Sequence, residues 1–347
     1  MRMVRWVWLL AALSACAHGP MTLPTKDMQE VLGAHLALGG KPVHLLTPEQ
    51  ARRGPSAKDG AEAVQAKREG KLPSPEPVAS VRDVRLSGPM KPLDARVYTP
   101  SGSGPFPAIV YFHGGGFVIA DCDVYDNTPR ALANAVGAVV ISSDYRLAPE
   151  NPYPASHDDA QAAFRYVSAH SDEFNINPRQ IAVAGESAGA NLATVVAMRQ
   201  KRDGGAMPVF QLLVYPFISN DLSTPSHEKN GHGLFFIGNA DIEWFWRHEL
   251  GADWRSNRDP MALPIYATAD QLRGLPPAHV VVAALDPLLD EGSQYATMLR
   301  SAGVPVTIQQ YDGVTHEFFG MAAVVPQAKQ AQTDATQALR SALGGTR

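Results

Sequence analysis

Gly185-Glu186-Ser187-Ala188-Gly189 is the stretch of sequence that decides the fold. The mostly apolar residues 180–184 before it predict a buried strand, and residues 190–201 after it, rich in Ala, Leu, Val and Met, predict a helix. Ser187 would then lie in a sharp turn, where the small residues Gly185 and Gly189 relieve backbone crowding. Such a turn holds the serine oxygen clear of the sheet and directs the helix's N-terminal N–H groups at a bound ligand. An ordinary glycine-rich turn is the alternative, because G-x-S-x-G also occurs by chance.

Length and composition allow one large α/β domain, with room for a smaller cap. The chain has 347 residues, of which 18% are charged and 45% apolar, and this balance excludes wholesale disorder. The formal net charge is −4 and no basic stripe is present, so we expect no nucleic-acid partner.

The N-terminus has the pattern of a secretory signal. Two arginines in the first five residues precede the apolar residues 6–13, a run too short to span a bilayer. Leu13-Ser14-Ala15-Cys16 resembles the bacterial lipobox, in which the cysteine is lipidated and becomes the first mature residue. We therefore expect a lipid anchor at Cys16 and a location in the cell envelope; an ordinary signal peptide with an incidental cysteine is the alternative. Since a lipidated Cys16 cannot pair with Cys122, the only other cysteine, no intramolecular disulfide is expected.

From residue 81 onward, strand and helix patterns alternate. Residues 81–86 and 93–98 resemble an antiparallel pair, and residues 108–112 form the continuous apolar run of a strand buried on both faces. Further strands are predicted at residues 139–143, 181–184, 212–215, 280–284 and 306–310, and helices at 125–136, 157–169, 190–201, 290–302 and 327–343. This alternation predicts a mainly parallel sheet with helices on both faces, whose site lies beyond the C-terminal ends of the strands.

A run of three glycines follows the strand at residues 108–112. In His113-Gly114-Gly115-Gly116-Phe117 the glycines let the backbone approach a ligand closely and turn N–H groups toward it. A phosphate loop is the alternative, but the Lys-Ser or Lys-Thr and the helix start that it requires are absent. We predict an oxyanion hole formed by Gly114, Gly115 and Gly116 and completed by the N–H of Ala188.

An acid and a base follow the last two predicted strands. Asp286 comes two residues after the strand at 280–284, and His316 lies in the loop after the last strand. A lone histidine is more often a surface or capping residue, but the order Ser187, Asp286, His316 is that of a nucleophile, acid and base. Asp290 is the other candidate acid; its place before a helix favours an N-cap role instead.

Five motifs, taken together, resemble one family. His113-Gly-Gly-Gly-Phe117, Tyr145-Arg-Leu-Ala-Pro-Glu150, Gly185-Glu-Ser-Ala-Gly189, Asp286-Pro-Leu-Leu-Asp-Glu291 and His316-Glu-Phe318 occur in the order seen in the hormone-sensitive-lipase family of esterases. The resemblance covers roughly residues 30–345 and implies an α/β-hydrolase fold with a mainly parallel eight-stranded sheet and a helical cap. It also implies hydrolysis of carboxylic esters with no metal and no cofactor. Ala190 departs from the family's usual glycine and adds a methyl group near the serine turn.

The same resemblance divides the chain into a core and a cap. The predicted segments are the signal peptide 1–15, a tether 16–27, the N-terminal part of the cap 28–77, the first part of the core 78–217, a cap insertion 218–267 and the second part of the core 268–347. The insertion contains Phe235-Phe236 and Trp244-Phe245-Trp246, which could roof an acyl pocket or pack the cap onto the core.

These observations predict a serine hydrolase that cleaves esters of short to medium acyl chains and has a small-molecule ester as its partner. An acyltransferase or amidase with the same triad is the nearest alternative. A non-catalytic ligand-binding protein and a structural envelope lipoprotein are two others; neither would need an intact Ser187, Asp286 and His316.

Overall fold

The computed structural model describes residues 23–233 and 235–344. The predicted signal peptide and Cys16 lie outside these residues. Within them, no helix is both long and apolar enough to cross a membrane.

One eight-stranded sheet carries the fold, in the order β1-β2-β4-β3-β5-β6-β7-β8. The strands are β1 Ser80–Leu86, β2 Leu93–Thr99, β3 Phe106–Phe112, β4 Val139–Ser143, β5 Ile176–Glu186, β6 Gln211–Val214, β7 Ala278–Ala283 and β8 Val306–Tyr311. β2 is antiparallel to both of its neighbours, and β4, β3, β5, β6, β7 and β8 pair in parallel. The predicted mainly parallel eight-stranded sheet is therefore confirmed.

Helices cover both faces of the sheet because its central strands are apolar on both sides. In β3, Ala108, Val110 and Phe112 pack into one core cluster, and Ile109 and Tyr111 into the other. The core helices are α4 Asn127–Leu132, which continues into a π-helical turn Ala133–Gly137, α5 Ala155–Ala169, α6 Ala188–Asp203, α9 Ala269–Leu272, α10 Leu289–Ser301 and α11 Pro326–Ala342. Helices α5, α6 and α10 contribute to the first cluster, and α4 and α11 to the second.

The remaining helices come from the N-terminal segment and from the chain between β6 and β7. They are α1 Lys26–Ala37, α2 Pro48–Arg53, α3 Ala57–Glu69, α7 Pro225–Asn230 and α8 Asn239–Leu250. Thr47 caps α2 with Pro48 at its first position, and Gln50 completes the capping box.

A buried aspartate joins the two groups of helices. His44, between α1 and α2, binds Asp241 of α8 through its ring (Nδ1 to Oδ1, 2.7 Å) and its backbone N–H (3.1 Å). The other oxygen of Asp241 accepts the N–H of Gly238 at 2.9 Å. The N-terminal helices and the insertion therefore meet directly over the core.

Candidate active site

Ser187 occupies the turn between β5, which ends at Glu186, and α6, which begins at Ala188. Its φ of +56° is strained for a residue with a side chain. Both flanking glycines are required by space. A Cβ at Gly185 would lie 2.2 Å from the backbone of Gly189, and a Cβ at Gly189 would lie 1.9 Å from the carbonyl oxygen of Phe112. The predicted strand–turn–helix geometry is therefore present at this serine.

Three side chains from separate loops form a hydrogen-bonded chain. His316 Nε2 lies 2.9 Å from Ser187 Oγ, and His316 Nδ1 lies 2.7 Å from Asp286 Oδ2. All three residues are buried. The second oxygen of Asp286 accepts the N–H of Leu288 at 2.9 Å, which fixes the carboxylate. Burial by itself lowers the pKa of His316. The charge and hydrogen bond of Asp286, together with the charges of Glu317 and Glu186, outweigh burial, and the net shift of the pKa is upward.

Two of the predicted oxyanion glycines line the same cavity as Ser187. Gly115 and Gly116 have φ of +96° and +58° and line the cavity, and the carbonyl of Gly115 accepts the N–H groups of Val118 and Ile119 at 3.0 Å. A Cβ on Gly116 would lie 2.2 Å from the Phe245 ring. Ala188 is the first residue of α6, so its N–H has no partner within the helix.

His113 and Gly114 precede these two glycines in the chain and contact Tyr145. The carbonyl of Gly114 accepts the Tyr145 hydroxyl at 3.2 Å and lies 2.8 Å from His113 Nδ1. The His113 ring stacks on Tyr145 with 4.3 Å between centroids, and burial lowers its pKa, so it is neutral. These contacts hold the glycine loop against Tyr145.

A cavity of about 380 Å³ opens onto Ser187 and His316. Its roof includes Phe236, Ile242 and Phe245. Trp246, by contrast, is fully buried beneath the roof and stacks on Phe217 at 4.0 Å. The aromatic residues of the insertion thus serve both of the predicted purposes, since some line the pocket and Trp246 packs the cap onto the core.

Comparisons with known proteins show the family to which the chain belongs. A family model described as alpha/beta hydrolase fold matches residues 109–320. Esterase LipI of Mycobacterium tuberculosis is 41% identical over 295 residues, which cover 84% of this chain and 91% of that protein. The chain belongs to the α/β-hydrolase family. This hydrolase is also 31% identical to the ethyl acetate hydrolase of Pseudomonas putida over 309 residues, 87% of this chain and 92% of that protein. The hyperthermophilic esterase of the archaeon Pyrobaculum calidifontis matches its structure with a TM-score of 0.81 at 33% identity, over 92% of this chain and 99% of that one.

Two acidic residues of this hydrolase are the chain neighbours of Ser187 and His316, and the sequence assigns neither of them a catalytic step. Glu186, next to the serine, is buried and accepts the Tyr111 hydroxyl at 2.6 Å and the Tyr215 hydroxyl. Burial raises the pKa of Glu186 to about 7, although both hydroxyls favour its charged form. Glu317, next to the histidine, accepts the Tyr125 hydroxyl with both carboxylate oxygens at 2.8 Å. Only long-range contacts reveal these pairs, so no local pattern could have predicted them.

Arg52 of α2 ties the N-terminal helices to the oxyanion loop. Its guanidinium donates to the carbonyl of Val118 at 2.8 Å, to that of Ala148 at 2.7 Å and to both carboxylate oxygens of Glu150. Val118 in turn donates to Gly115, so one side chain fixes the loop that carries the predicted donors.

Helix α7 of the insertion holds the loop of the acid in a similar way. Ser226 donates its hydroxyl to the carbonyl of Pro287 at 2.6 Å and its N–H to Asp290 Oδ2 at 2.7 Å. Asn230 donates to the carbonyl of Asp286 at 3.1 Å. The predicted N-cap role of Asp290 is therefore wrong. Helix α10 already begins at Leu289, so Asp290 is its second residue and its carboxylate serves the neighbouring helix.

Proposed function

We propose that this chain is a serine carboxylesterase in which Ser187, His316 and Asp286 act as nucleophile, base and acid. That it is a carboxylic ester hydrolase follows from its family and its esterase relatives. The observation that supports the triad is the continuous chain of hydrogen bonds, 2.9 Å and 2.7 Å long, at the wall of an otherwise largely apolar cavity.

The proposed reaction has two steps. His316 Nε2 takes the Ser187 proton as Oγ attacks the ester carbonyl, and Asp286 holds the imidazole in the required tautomer and stabilises its charge. N–H groups of Gly115, Gly116 and Ala188, with Gly114 behind them, bind the developing oxyanion, and each such donor is worth about 3–4 kcal/mol of barrier. The alcohol leaves with the proton from His316, and water then releases the acyl group from Ser187.

The test is a fluorophosphonate label combined with p-nitrophenyl esters. The wild type should be labelled once and should hydrolyse the esters, whereas Ser187→Ala should lose both the label and all but a small percentage of the activity with an unchanged fold. A variant that keeps its activity would mean that another residue is the nucleophile.

We further propose that acyl chains of about two to eight carbons are preferred. The support is the size of the cavity, about 380 Å³, and its roof of Phe236, Ile242 and Phe245. Each buried CH₂ contributes about 0.8 kcal/mol, or about fourfold in kcat/KM, until the pocket is full. Esters from acetate to palmitate should show a rise and then a plateau or fall; fastest turnover of the palmitate ester would contradict the proposal.

We also propose that Cys16 carries a lipid that anchors the enzyme in the bacterial cell envelope. The support is the sequence Leu13-Ser14-Ala15-Cys16 after a short apolar run. A palmitate analogue fed to producing cells should label the wild type and spare Cys16→Ser. Equal labelling of both, or of neither, would refute the anchor.

A further inference from the structure

The acidic residue beside His316 is held in an unfavourable backbone conformation. Glu317 has φ +68° and ψ 0°, which glycine adopts freely and glutamate only at a cost. Its side chain is 21% exposed and lines the cavity that contains Ser187. Strain of this kind at a cavity wall indicates that the side chain is needed there.

The position of the carboxylate relative to the histidine is specific. Glu317 Oε1 lies 3.9 Å from His316 Nε2, the atom that also lies 2.9 Å from Ser187 Oγ. Hydrogen bonds between oxygen and nitrogen or oxygen are about 2.8 Å long, so two of them span up to about 5.6 Å. One oxygen atom can therefore bond to Nε2 and to Glu317 at the same time.

Tyr125 sets the direction of the carboxylate from the other side. Its hydroxyl donates to both oxygens at 2.8 Å, and a Cβ on Gly114 would lie 2.2 Å from that hydroxyl. A single O–H leaves the remaining lone pairs of Glu317 free to accept from the cavity.

We propose that Glu317 positions the water that releases the acyl group, and thereby favours water over alcohols as the acyl acceptor. The inference rests on the proposed acyl-enzyme at Ser187. Water attacks the acyl carbon, passes one proton to His316 Nε2 and donates its other hydrogen to Glu317 Oε1. The tetrahedral intermediate then breaks its bond to Ser187 Oγ, which regains the proton from Nε2. The second hydrogen stays on the attacking oxygen throughout, hydrogen-bonded to Glu317, and leaves as the hydroxyl hydrogen of the carboxylic acid.

The number of hydrogens on the attacking atom of the acyl acceptor decides whether that acceptor can donate a hydrogen bond to Glu317. An alcohol has one hydroxyl hydrogen, which must go to His316 Nε2, so it has none left for Glu317. Water has two, and so does the amino group of an uncharged primary amine. Removing the carboxylate should therefore slow attack by water and by amines and leave attack by alcohols unaffected.

The experiment measures how the acetyl-enzyme is partitioned between acceptors. p-Nitrophenyl acetate is hydrolysed in the presence of methanol or of methoxyamine, an amine that is uncharged at neutral pH, and acetate, methyl acetate and N-methoxyacetamide are quantified. Glu317→Met keeps the length of the side chain without an acceptor, and Glu317→Gly relieves the backbone strain, so at least one should fold. Glu173→Gln is the matched control, because Glu173 also accepts a tyrosine hydroxyl, that of Tyr166. Glu173 lies just before the start of β5, whereas Ser187 follows the end of that strand.

Both Glu317 variants should raise the ratio of methyl acetate to acetate by about tenfold to a hundredfold, the range of one hydrogen bond to a charged group. The ratio of N-methoxyacetamide to acetate should stay within about twofold of the wild type, as should both ratios in Glu173→Gln. An unchanged ratio of methyl acetate to acetate in the Glu317 variants would overturn the inference, as would an equal rise with both acceptors.

A substrate comparison in the wild type separates this inference from the proposed function. Phenyl acetate and p-nitrophenyl acetate form the same acetyl-enzyme, so they must give the same product ratios. Ratios that depend on the leaving group would refute the acyl-enzyme itself. Equal ratios combined with unchanged Glu317 variants would refute only the role of Glu317.

Discussion

Glu249 gives this protein a pH-dependent stability whose size follows from its surroundings. It lies on α8, fully buried, where Oε1 accepts the Ser156 hydroxyl at 2.9 Å and Oε2 has no hydrogen-bond partner among the described residues. Burial raises its pKa to about 8. His157 is 3.7 Å away, but burial lowers the pKa of His157 to about 3, so it is neutral and supplies no compensating charge. The carboxyl is therefore protonated in the folded protein at neutral pH and ionised in the unfolded chain.

The sign and size of the effect follow from proton linkage. Below pH about 4.5 the carboxyl group of Glu249 is protonated in both the folded and the unfolded protein, and its stabilising contribution to the free energy of unfolding is fully present. Between pH 4.5 and about 8 only the folded state holds the proton, so stability falls as the pH rises. At 1.36 kcal/mol for each pH unit in this window, the loss is about 5 kcal/mol, complete above pH 8.

Glu249→Gln should remove this pH dependence, because an amide still accepts the Ser156 hydroxyl but does not titrate. Urea unfolding followed by tryptophan fluorescence between pH 4.5 and 9 should show the variant gaining about 5 kcal/mol relative to the wild type across that range. The exposed Glu173→Gln should keep the pH dependence of the wild type. A constant difference between Glu249→Gln and the wild type at every pH would refute the reasoning.

Three further predictions concern the loops that carry the proposed catalytic groups. Asp286→Asn should lower kcat by about three to four orders of magnitude with little change in Tm, whereas Asp290→Asn should stay active; the reverse result would exchange the two assignments. Asp290→Ala leaves the N–H of Ser226 without its acceptor and should cost about 1–3 kcal/mol in urea unfolding, and no loss would show that this contact is unimportant. Arg52→Met releases the carbonyl of Val118 and should lower kcat more than it changes KM in ester hydrolysis; a change confined to KM would place Arg52 in substrate binding alone.

The sequence predicted the sheet and the serine turn because both are determined by nearby residues. The central strand runs are apolar on both faces, and such runs indicate parallel strands whatever covers them. At the turn, the space that excludes a Cβ at Gly185 is filled by Gly189, only four residues away. The order of serine, acid and base along the chain also predicted that Asp286 pairs with His316. In the structure, Asp286 Oδ2 lies 2.7 Å from His316 Nδ1. The misassignment of Asp290 has the opposite cause, because its partner Ser226 is 64 residues away.

The three loops of the site also differ in whether the residues that hold them are near or far along the chain. The serine turn is held by steric exclusion within the core, through contacts with Gly189 and with the adjacent strand β3. The oxyanion loop is held by Arg52, 66 residues before Val118, and the acid loop by α7, which precedes it by about 60 residues. Two of the three loops therefore take hydrogen bonds from the N-terminal segment and from the insertion, and other residues of these two segments line the cavity. In this hydrolase, the segments that line the pocket also bond to the loops of the proposed acid and of the proposed oxyanion donors. We therefore expect that a change in these segments that alters substrate choice will alter kcat as well, unless it leaves Arg52, Ser226 and Asn230 in place.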